Sequence, residues 1–440
     1  MAVTKKARAN GQIPADWSVA KVADFGKVHT GNTPLTSETD NYDGDFLFVS
    51  PGDLSEEKFV EKTEKTLTEK GFLSARKFPK GSVLFTCIGS TIGKSGIATT
   101  DLAANQQINA IVVNADNLNE FLYYQLERNA KRIKLIAGEQ AVPIINKSQF
   151  EKVKVLRAPL PEQHAIAKVL GKMDEAISAN KQLIAQKALR KKWLMQNLLT
   201  GKKRLKGFSG EWKKQPLSSF IELVVREVDK PSIPYLGIGL RSHGKGTFLK
   251  PDEQPEKNSM TKFYVVRPDD LLVNITFAWE QAIAIVKPDD DGALASHRFP
   301  TYTFKKEVAC ANFFRHLIIQ PRMKYMLQLI SPGGAGRNRV MSKSSFIKLE
   351  FKLPNFEEQT AIAQILQAAD KELSLLKAKT DKLKEQKKGM MQVLLTGKKR
   401  LNQDLQDLKM NRINAVEHNL ENPANSESPN PNNNLEIPKI

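Results

Sequence analysis

Apolar residues recur every three to four positions along two long stretches of the chain, a spacing typical of the seam of a coiled coil. The apolar positions are Ile166, Leu170, Met173, Ile177, Ile184 and Leu198 in the first stretch, and 362, 366, 369, 373, 376, 383, 390 and 394 in the second. Asn180 lies on the first seam, where a polar residue can fix the register. Gly201 and Gly397, followed by basic residues, mark the helix ends. The pattern predicts two helices of about 38 residues, roughly 57 Å long, which pair with each other rather than acting as independent core helices.

Short apolar runs punctuated by Gly, Pro, Asn and Asp precede each long helix and are typical of strands. They are GDFLFVS, GSVLFTCIG, SGIAT and INAIVV in the first half, and PYLGIGL, DDLLVNITFAW, QAIAIVK and FPTYTF in the second. Each set is followed by a helical patch, NEFLYYQLERNAKRIKLI or CANFFRHLIIQPRMKYMLQLI. The sequence therefore predicts an α+β fold with two globular domains, each followed by one long helix.

The two halves of the chain repeat one plan. LLTGKKRL occurs at residues 198–205 and at 394–401, and 21 of the 44 positions in 162–205 are identical to their partners 196 residues later. Trp17 aligns with Trp212 one residue out of this register. The repeat predicts a first domain at 12–158, a helical spacer at 159–205, a second domain at 206–353, a second spacer at 354–401 and a disordered tail, rich in Asn, Pro, Ser and Glu, at 402–440.

The chain of 440 residues has a formal net charge of +19. An excess of this size favours a polyanionic partner, above all nucleic acid, over a basic surface that only keeps the protein in solution. Two cysteines far apart, Cys87 and Cys310, fit a reducing compartment and exclude a disulfide framework. The first residues lack the apolar core of a secretory signal, and no apolar run is long enough to span a membrane. We therefore expect a cytoplasmic protein.

Two glycine-rich segments begin like nucleotide-binding motifs but depart from them. Gly89 and Gly93 in GSTIGKS enclose three residues, whereas a P-loop has four at this place. SPGGAGRNR lacks the third glycine of a dinucleotide fingerprint. Close approach to a DNA backbone suits both segments, although ordinary turns or mobile loops explain them nearly as well. The sequence shows no adenine-methylation motif, no correctly spaced Walker motif, no nuclease pattern and no metal-spaced His/Cys pair, so it predicts a chain without catalytic machinery.

Several segments resemble the DNA specificity subunit of Type I restriction–modification systems. They are IPADW, HTGNTP, GSVLFTCIGSTIGKSGIA, NQQINAI and LPEQHAIAKVL in the first half, VRPDDLLVNITFAWEQAIAI, SHRFPTY and LPNFEEQTAIAQIL in the second, and LLTGKKRL in both. Each segment alone is weak evidence. Their order and the doubled helix motif cover nearly the whole chain and make the resemblance specific.

The resemblance implies two target-recognition domains separated by two conserved helices, which pair antiparallel and act as a spacer. Each domain would read one half of a split, asymmetric DNA target. Two methyltransferase subunits would dock on the helices, and two restriction subunits would complete the complex. The chain itself would then be non-catalytic and hold no cofactor, whereas S-adenosylmethionine, ATP and Mg²⁺ would be bound by the partner subunits.

Polar and basic loop residues are the candidate DNA contacts, because amide side chains match adenine edges and arginine matches guanine edges or phosphates. They are Asn32, Thr33, Ser90, Thr91, Lys94 and Gln106 in the first domain, and Arg241, His243, Lys245, Arg298, Arg337 and Arg339 in the second. The NQQ segment also belongs to the pattern shared with the family, which favours a structural role for it. The candidate docking residues on the helices are Ile166, Leu170, Leu198, Ile362, Leu366 and Leu394. No metal ligand is predicted.

Two other functions remain open from the sequence. One is the specificity component of a Type II-like methylation system that lacks a motor subunit, which only its neighbouring subunits would distinguish. The other is a basic coiled-coil scaffold whose domains bind proteins instead of DNA. A phosphate-contacting protein loses DNA affinity steeply as salt rises, whereas such a scaffold would not.

Overall fold

The structure, a computed structural model, describes residues 13–138, 141–333 and 339–401. The chain divides into two compact units. Unit 1 comprises Met1–Asn180 and Thr380–Ile440, and unit 2 comprises Lys181–Lys379. Each unit therefore combines one globular domain with a part of both long helices. The tail predicted at 402–440 lies outside the described residues.

The first domain is built from eleven strands and three helices within the described residues. The strands are β1 (Ser18–Lys21), β2 (Gly26–Thr30), β3 (Tyr42–Val49), β4 (Phe59–Val60), β5 (Lys65–Leu67), β6 (Lys77–Phe78), β7 (Val83–Thr86), β8 (Ser95–Ala98), β9 (Leu102–Ala104), β10 (Ile108–Val113) and β11 (Lys154–Arg157). The helices are α1 (Glu69–Ser74), α2 (Asn119–Lys134) and α3 (Lys147–Glu151). The long helix α4 (Leu160–Leu198) follows the domain.

The second domain also has eleven strands and three helices among the described residues. Its strands are β12 (Lys213–Pro216), β13 (Ile221–Val224), β14 (Glu227–Asp229), β15 (Tyr235–Leu240), β16 (Thr247–Glu253), β17 (Lys262–Val265), β18 (Leu271–Val273), β19 (Ile283–Ile285), β20 (Leu294–Ala295), β21 (Thr301–Phe304) and β22 (Glu350–Leu353). Its helices are α5 (Ala311–Leu317), α6 (Pro321–Leu329) and α7 (Lys343–Ile347), and the long helix α8 (Phe356–Leu394) follows.

The two domains share one sheet topology. The order β2-β10-β7-β8 corresponds to β13-β21-β18-β19, and the order β5-β3-β9-β6 corresponds to β16-β15-β20-β17. Strand β4 extends the first domain's first sheet, and β14 extends the second domain's second sheet. In both domains the second sheet contains one parallel pair, β3 with β9 and β15 with β20. The predicted α+β class and the duplication are both confirmed.

The helical patch after each set of strands packs differently in the two domains. In the first domain it forms the single helix α2, which buries Phe121, Leu122 and Leu126 in the main core. In the second domain the predicted patch is divided into α5 and α6. Pro321 is the first residue of α6, and because proline disfavours a helical conformation in the residue before it, the preceding helix ends.

The two long helices run antiparallel within each unit. In unit 1, Asn180 Nδ2 donates to Thr380 Oγ1 at 2.7 Å, while Asp174 lies against Lys387, so rising numbers on α4 match falling numbers on α8. In unit 2, Lys187 pairs with Glu372 and Lys191 with Asp370 in the same sense. The predicted antiparallel coiled coil is confirmed, with polar Asn180 buried on its seam. Among the described residues, no helix combines the length and the apolar character that crossing a membrane would require.

An ion pair with a buried carboxylate joins the start of α4 to the segment that follows α8 in unit 1. Glu162, in the first turn of α4, accepts hydrogen bonds from Trp17 Nε1 at 2.8 Å and from Arg400 Nε at 2.7 Å. Arg400 also donates to both carboxylate oxygens of Asp16. We call these four residues the first clasp. Arg400 belongs to the second LLTGKKRL copy, so this clasp fixes the end of the repeat to the start of the other helix.

Unit 2 contains an equivalent second clasp, formed by Arg204, Trp212 and Glu358. Both oxygens of Glu358 accept hydrogen bonds from Arg204 at 2.6 Å, and Trp212 Nε1 donates to the same carboxylate at 3.1 Å. Arg204 lies in the first LLTGKKRL copy. The repeated octapeptide therefore carries the arginine that neutralises a buried glutamate on the opposite helix.

The glycine of each octapeptide lets the chain turn closely beside the tryptophan of its clasp. Gly201 and Gly397 both have φ near +70°, a region that residues with a Cβ rarely adopt. A Cβ on Gly201 would lie 3.4 Å from the Trp212 ring, and one on Gly397 would lie 2.5 Å from Pro14. The positive φ therefore favours glycine at both positions, and the clash with Pro14 excludes a Cβ at Gly397.

The glutamine after each clasp glutamate attaches the domain to its helix. Gln163 Oε1 accepts a hydrogen bond from the backbone N of Leu118, which caps α2. Gln359 Oε1 accepts one from the backbone N of Cys310, which caps α5. The repeated Glu-Gln pair thus closes a clasp with its first residue and holds the domain with its second.

A second polar contact differs between the units. In unit 1, Tyr124 donates to Asp174 at 2.6 Å. In unit 2, His316 Nδ1 lies 3.9 Å from Asp370, the residue at the equivalent place on α8. Burial lowers the pKa of His316 to about 4, and Lys191 and Arg315 act in the same direction against the opposing effect of Asp370. His316 is therefore neutral in the folded protein at pH 7, and its buried Nε2 has no hydrogen-bond partner among the described residues.

Removing the arginine of the second clasp should destabilise the protein. Arg204→Ala leaves Glu358 buried without a cation, which should cost about 2–4 kcal/mol, somewhat less than for a fully buried pair because Arg204 keeps some exposure. Urea unfolding followed by circular dichroism measures the effect. Lys202→Ala, an exposed change in the same octapeptide, is the control and should shift stability by less than about 0.5 kcal/mol. Equal midpoints for the two variants would contradict the role of the clasp.

Protein stability should fall between pH 6.5 and pH 4 because of His316. In that window the unfolded chain binds a proton at this histidine and the folded chain does not, so the folded state loses up to about 3 kcal/mol. His316→Tyr, which installs the residue of the first domain, should remove this part of the pH dependence. The measurement is the free energy of unfolding at pH 7 and pH 4.5, with the exposed His164→Tyr as control. An unchanged pH dependence in His316→Tyr would show that other groups cause it.

Candidate nucleic-acid interface

One loop in each domain forms the frame of the candidate interface. It connects β7 to β8 at residues 86–94 and β18 to β19 at residues 274–282, and we call it the central loop. The same three backbone hydrogen bonds hold it in both domains. They run from Thr86 N to Lys94 O, from Cys87 N to Gln107 O and from Ile145 N to Cys87 O in the first domain, and from Asn274 N to Ala282 O, from Ile275 N to Arg298 O and from Met341 N to Ile275 O in the second. Because these bonds use main-chain atoms, the frame accepts different side chains.

Two further loops of the first domain bring three of the predicted residues together. Thr33 Oγ1 donates to Gln106 Oε1 at 2.6 Å, and Asn32 Oδ1 accepts from the backbone N of Arg76 at 2.6 Å. Gly31 makes this approach possible, because a Cβ there would lie 2.2 Å from the carbonyl oxygen of residue 104. Asn32, Thr33 and Gln106 therefore form one polar surface.

Three cations lie close to His29, on the strand that precedes this surface. The pKa of His29, on the neighbouring strand β2, is lowered by burial and then by the charges of Lys147, Arg76 and Lys27, with Glu151 opposing them. Lys27, Arg76 and Lys147 are exposed. Sequence reasoning missed these three cations, because they come from separate elements and only the fold brings them around one histidine.

The predicted residues on the first domain's central loop have mixed environments. Ser90 is exposed and Thr91 is half-buried. The carbonyl of Ser90 accepts a hydrogen bond from Lys134, and Lys94 Nζ donates to the carbonyl of Pro51 at 3.2 Å. Lys94 thus links the central loop to a neighbouring loop, a structural role that its sequence position in a glycine-rich turn did not indicate.

In the second domain, the loop between β15 and β16 carries Arg241, His243 and Lys245. The backbone N of His243 donates to the carbonyl of Glu280 at 2.7 Å, which attaches this loop to the central loop. His243 has φ +62°, an uncommon conformation for a residue with a side chain. Arg241 donates to the carbonyl of Thr247 and stacks over the ring of Phe248.

Two more arginines contact the same central loop. Arg298 is exposed and its Nη1 donates to Thr276 Oγ1 at 3.3 Å, while Arg339 lies over the ring of Trp279, 5.4 Å from its centre. The structure therefore gathers the predicted arginines 241, 298 and 339 around one loop. Arg337 lies outside the described residues. His297, next to Arg298 in the chain, is exposed as well.

A family comparison can now be set beside this geometry. The model of the family described as Type I restriction modification DNA specificity domain matches residues 14–186 and 214–385, well over half of the chain. The chain belongs to this family. The two matches cover the two domains and reach into the helix that follows each of them, which agrees with the duplication seen in the sheets.

Individual proteins show the same similarity along the chain. The Type I restriction enzyme MjaVIII specificity subunit of Methanocaldococcus jannaschii is 25% identical over 415 residues, which cover 89% of this chain and 94% of that protein. The crystal structure of a Type I restriction–modification S subunit from M. genitalium has a TM-score of 0.53 at 15% identity and covers 88% of this chain and 97% of its own. A second solved structure comes from work on complex assembly and conformational transition of the type I R-M system. It has a TM-score of 0.55 at 13% identity and covers 87% of this chain and 98% of its own. At these identities the two structures show a common fold.

The six helix residues expected to dock a partner lie inside this DNA specificity subunit. Ile166, Leu170 and Leu394 belong to the core of unit 1, and Leu198, Ile362 and Leu366 belong to the core of unit 2. Periodicity identified them as buried but did not reveal what covers them. Leu189 and Trp193 are exposed apolar residues of α4, at 67% and 46%.

No group of three or more His, Cys, Asp or Glu side chains in the described part of the chain has the geometry of a metal site. The surfaces around the two central loops instead carry cations, amides and hydroxyls, several of them exposed. Such groups suit contact with phosphates and base edges.

The cations around His29 should contribute to DNA binding through phosphates. Replacing Lys27 and Lys147 by Ala should weaken binding to all sequences alike, and should reduce the slope of log affinity against log salt by about 1 for each phosphate that the protein no longer neutralises. Binding titrations of the assembled complex between low and moderate salt measure the slope. Lys147 also pairs with Glu151, so the control is Lys172→Ala, which removes a cation similarly paired with Glu175 but located on the long helix α4. An unchanged slope in the double variant would exclude this surface from phosphate binding.

Proposed function

We propose that this specificity subunit reads a DNA target of two separated half-sites and directs adenine-methyltransferase and restriction subunits to it. The observation that carries the proposal is the shared frame of the two central loops. Three equivalent main-chain bonds hold the loop in both domains, while the exposed side chains on and around it differ. Two recognition domains with the same backbone frame and different side chains suit two different half-sites, and hence an asymmetric target.

Charge supports nucleic acid as the partner of both domains. The net charge of +19 would release counterions from DNA and draw the chain to it without sequence preference. Gln106 and Asn32 on the first domain suit adenine edges, and Arg298 and Arg241 on the second suit guanine edges. Sequence preference would come from these side chains, superimposed on the non-specific attraction.

The partners of the long helices would be methyltransferase subunits. The seam side chains are used within each unit, so docking falls to the exposed faces, where Trp193 and Leu189 offer an apolar anchor of the kind that dominates binding energy at interfaces. Two methyltransferase and two restriction subunits would assemble on this chain. We assign S-adenosylmethionine, ATP and Mg²⁺ to those subunits, and we place the assembly in the cytoplasm, where its DNA is.

The decisive experiment is co-expression of this chain with its cognate methyltransferase subunit, followed by sequencing of the host DNA for N6-methyladenine. The expected result is a split, asymmetric methylated motif that disappears when this chain is omitted. A stable complex that leaves no methylated motif would contradict the proposed function and favour a protein-binding scaffold. Adding the restriction subunit then tests whether a motor and a nuclease belong to the same system.

Exchange of one domain should change one half of the target. If residues 12–158 are replaced by the first domain of a relative with a known motif, the methylated motif should acquire that relative's first half and retain its own second half. The reciprocal exchange of residues 206–353 is the matched control. A change in both halves after a single exchange would show that the two domains do not read independently.

A further inference from the structure

The second domain contains a cavity of about 360 Å³ that opens beside its central loop. This volume lies within the range of small-molecule sites, roughly 300–1,000 Å³. The strand β15 contributes Gly237 and Gly239 to it, and the rings of Tyr235, Phe248 and Phe277 form part of its walls. Aromatic walls around a space of this size suit a flat, ring-shaped ligand.

The equivalent place in the first domain is filled. Phe48 of β3 corresponds to Gly237, because each forms the same parallel bridge to the neighbouring strand, Phe48 with Ala103 and Gly237 with Leu294. The Phe48 side chain is buried in a small core with Phe72 of helix α1. In the second domain a short turn joins β15 to the strand β16, and Gly237 stands where the first domain has Phe48. The space beside Gly237 therefore stays open.

The cavity also carries hydrogen-bonding groups that the first domain lacks. Asn274 and Glu280 lie in its lining on either side of Phe277. Asn274 Oδ1 accepts from the backbone N of Thr276, which leaves the amide nitrogen as the group to donate, and one oxygen of Glu280 accepts from Ser242. The corresponding residues of the first domain's central loop are Thr86, Gly89 and Ile92, which offer neither an amide nor a carboxylate.

Two loops that line the cavity also carry candidate DNA contacts. Ser242 and Ser296 in its lining are next to His243 and His297 in the chain, and Arg241 and Arg298 are close neighbours in the same two loops. Two loops that line the cavity therefore also carry cations that could approach a phosphate attached to a ligand inside it.

We propose that this cavity receives one nucleobase turned out of the DNA duplex in the half-site contacted by the second domain. The inference rests on the proposed function. The base would stack on Phe277 and Tyr235, and its edge would meet the donor of Asn274 and the acceptor of Glu280. Adenine and cytosine fit this pair, because both carry an amino donor beside a ring-nitrogen acceptor. Phosphates flanking the base would lie at Arg241 and Arg298. The first domain, with Phe48 in this place, would read its half-site without extrusion.

Fluorescent bases in the target test the proposal. Once the methylated motif is known, each adenine of the second half-site is replaced by 2-aminopurine and each cytosine by pyrrolo-cytosine, and fluorescence is compared in free DNA and in the complex with methyltransferase. The expected result is a several-fold rise at one position other than the methylated adenine. The methylated adenine is extruded by the methyltransferase and gives its own signal, which serves as an internal standard.

Gly237→Phe copies the first domain and should fill the cavity. The neighbours of a Cβ at this position are the flexible side chains of Glu253 and Lys250, at 3.2 and 3.6 Å, so the strand can accept the change. This variant should abolish the extra signal and leave the signal at the methylated adenine. Leu236→Phe, the adjacent residue outside the cavity lining, is the matched control and should keep both signals. Glu280→Gln tests the cavity without adding bulk and should reduce the extra signal.

The outcomes distinguish a failure of the cavity proposal from a failure of the proposed function. If the split motif is methylated and the complex binds DNA, but no second position brightens, the cavity does not take a base. An extra signal that persists unchanged in both Gly237→Phe and Glu280→Gln would overturn the proposal as well. The absence of any split methylated motif would instead defeat the proposed function itself.

Discussion

The buried carboxylate at the start of each long helix is the constraint on which the rest of the structure depends. Glu162 and Glu358 are 8% and 1% exposed, and an isolated carboxylate at such a place would lose several kcal/mol of hydration. The compensating arginines, 400 and 204, come from the end of the opposite helix. The start of each long helix is therefore stabilised when the end of the other one lies beside it. This pairing explains why the same eight residues occur twice and why each copy follows a helix rather than a domain.

The sequence predicted the regular parts of this fold well. Apolar spacing and the repeat were enough for two long helices, and the strand-like runs of the second half fall on β15, β18, β19 and β21. The clasps were not predicted, because a lysine- and arginine-rich octapeptide has the same appearance whether it faces DNA, a partner or a glutamate 154 residues away. The helix positions were correctly interpreted as apolar, but periodicity cannot say whether a globular domain or another subunit covers them.

The candidate interface was predictable only in part, for a related reason. Residues such as Thr33 and Gln106 lie 73 positions apart and meet because Gly31 lets two loops touch. The glycine-rich turn around Lys94 suggested a phosphate contact, but Lys94 Nζ donates a hydrogen bond to the carbonyl of Pro51. The cations around His29 come from three separate elements. Residue types indicate which side chains can contact DNA. Which of these side chains lie together depends on backbone geometry, which a single sequence does not show.

The division of the chain into a continuous and a discontinuous unit has a consequence for synthesis. Unit 2 is one uninterrupted segment, Lys181–Lys379, whereas unit 1 needs residues from both sides of that segment. The first domain leaves the ribosome before the second, but its clasp lacks Arg400 until the second long helix has been made. The unit whose synthesis starts first is thus the one completed last, and until then the apolar face of α4 around Ile166 and Leu170 lacks Leu394 and Leu395, which share its core. Until its second long helix has been made, the nascent chain therefore exposes apolar residues of the first long helix that are buried in the folded protein.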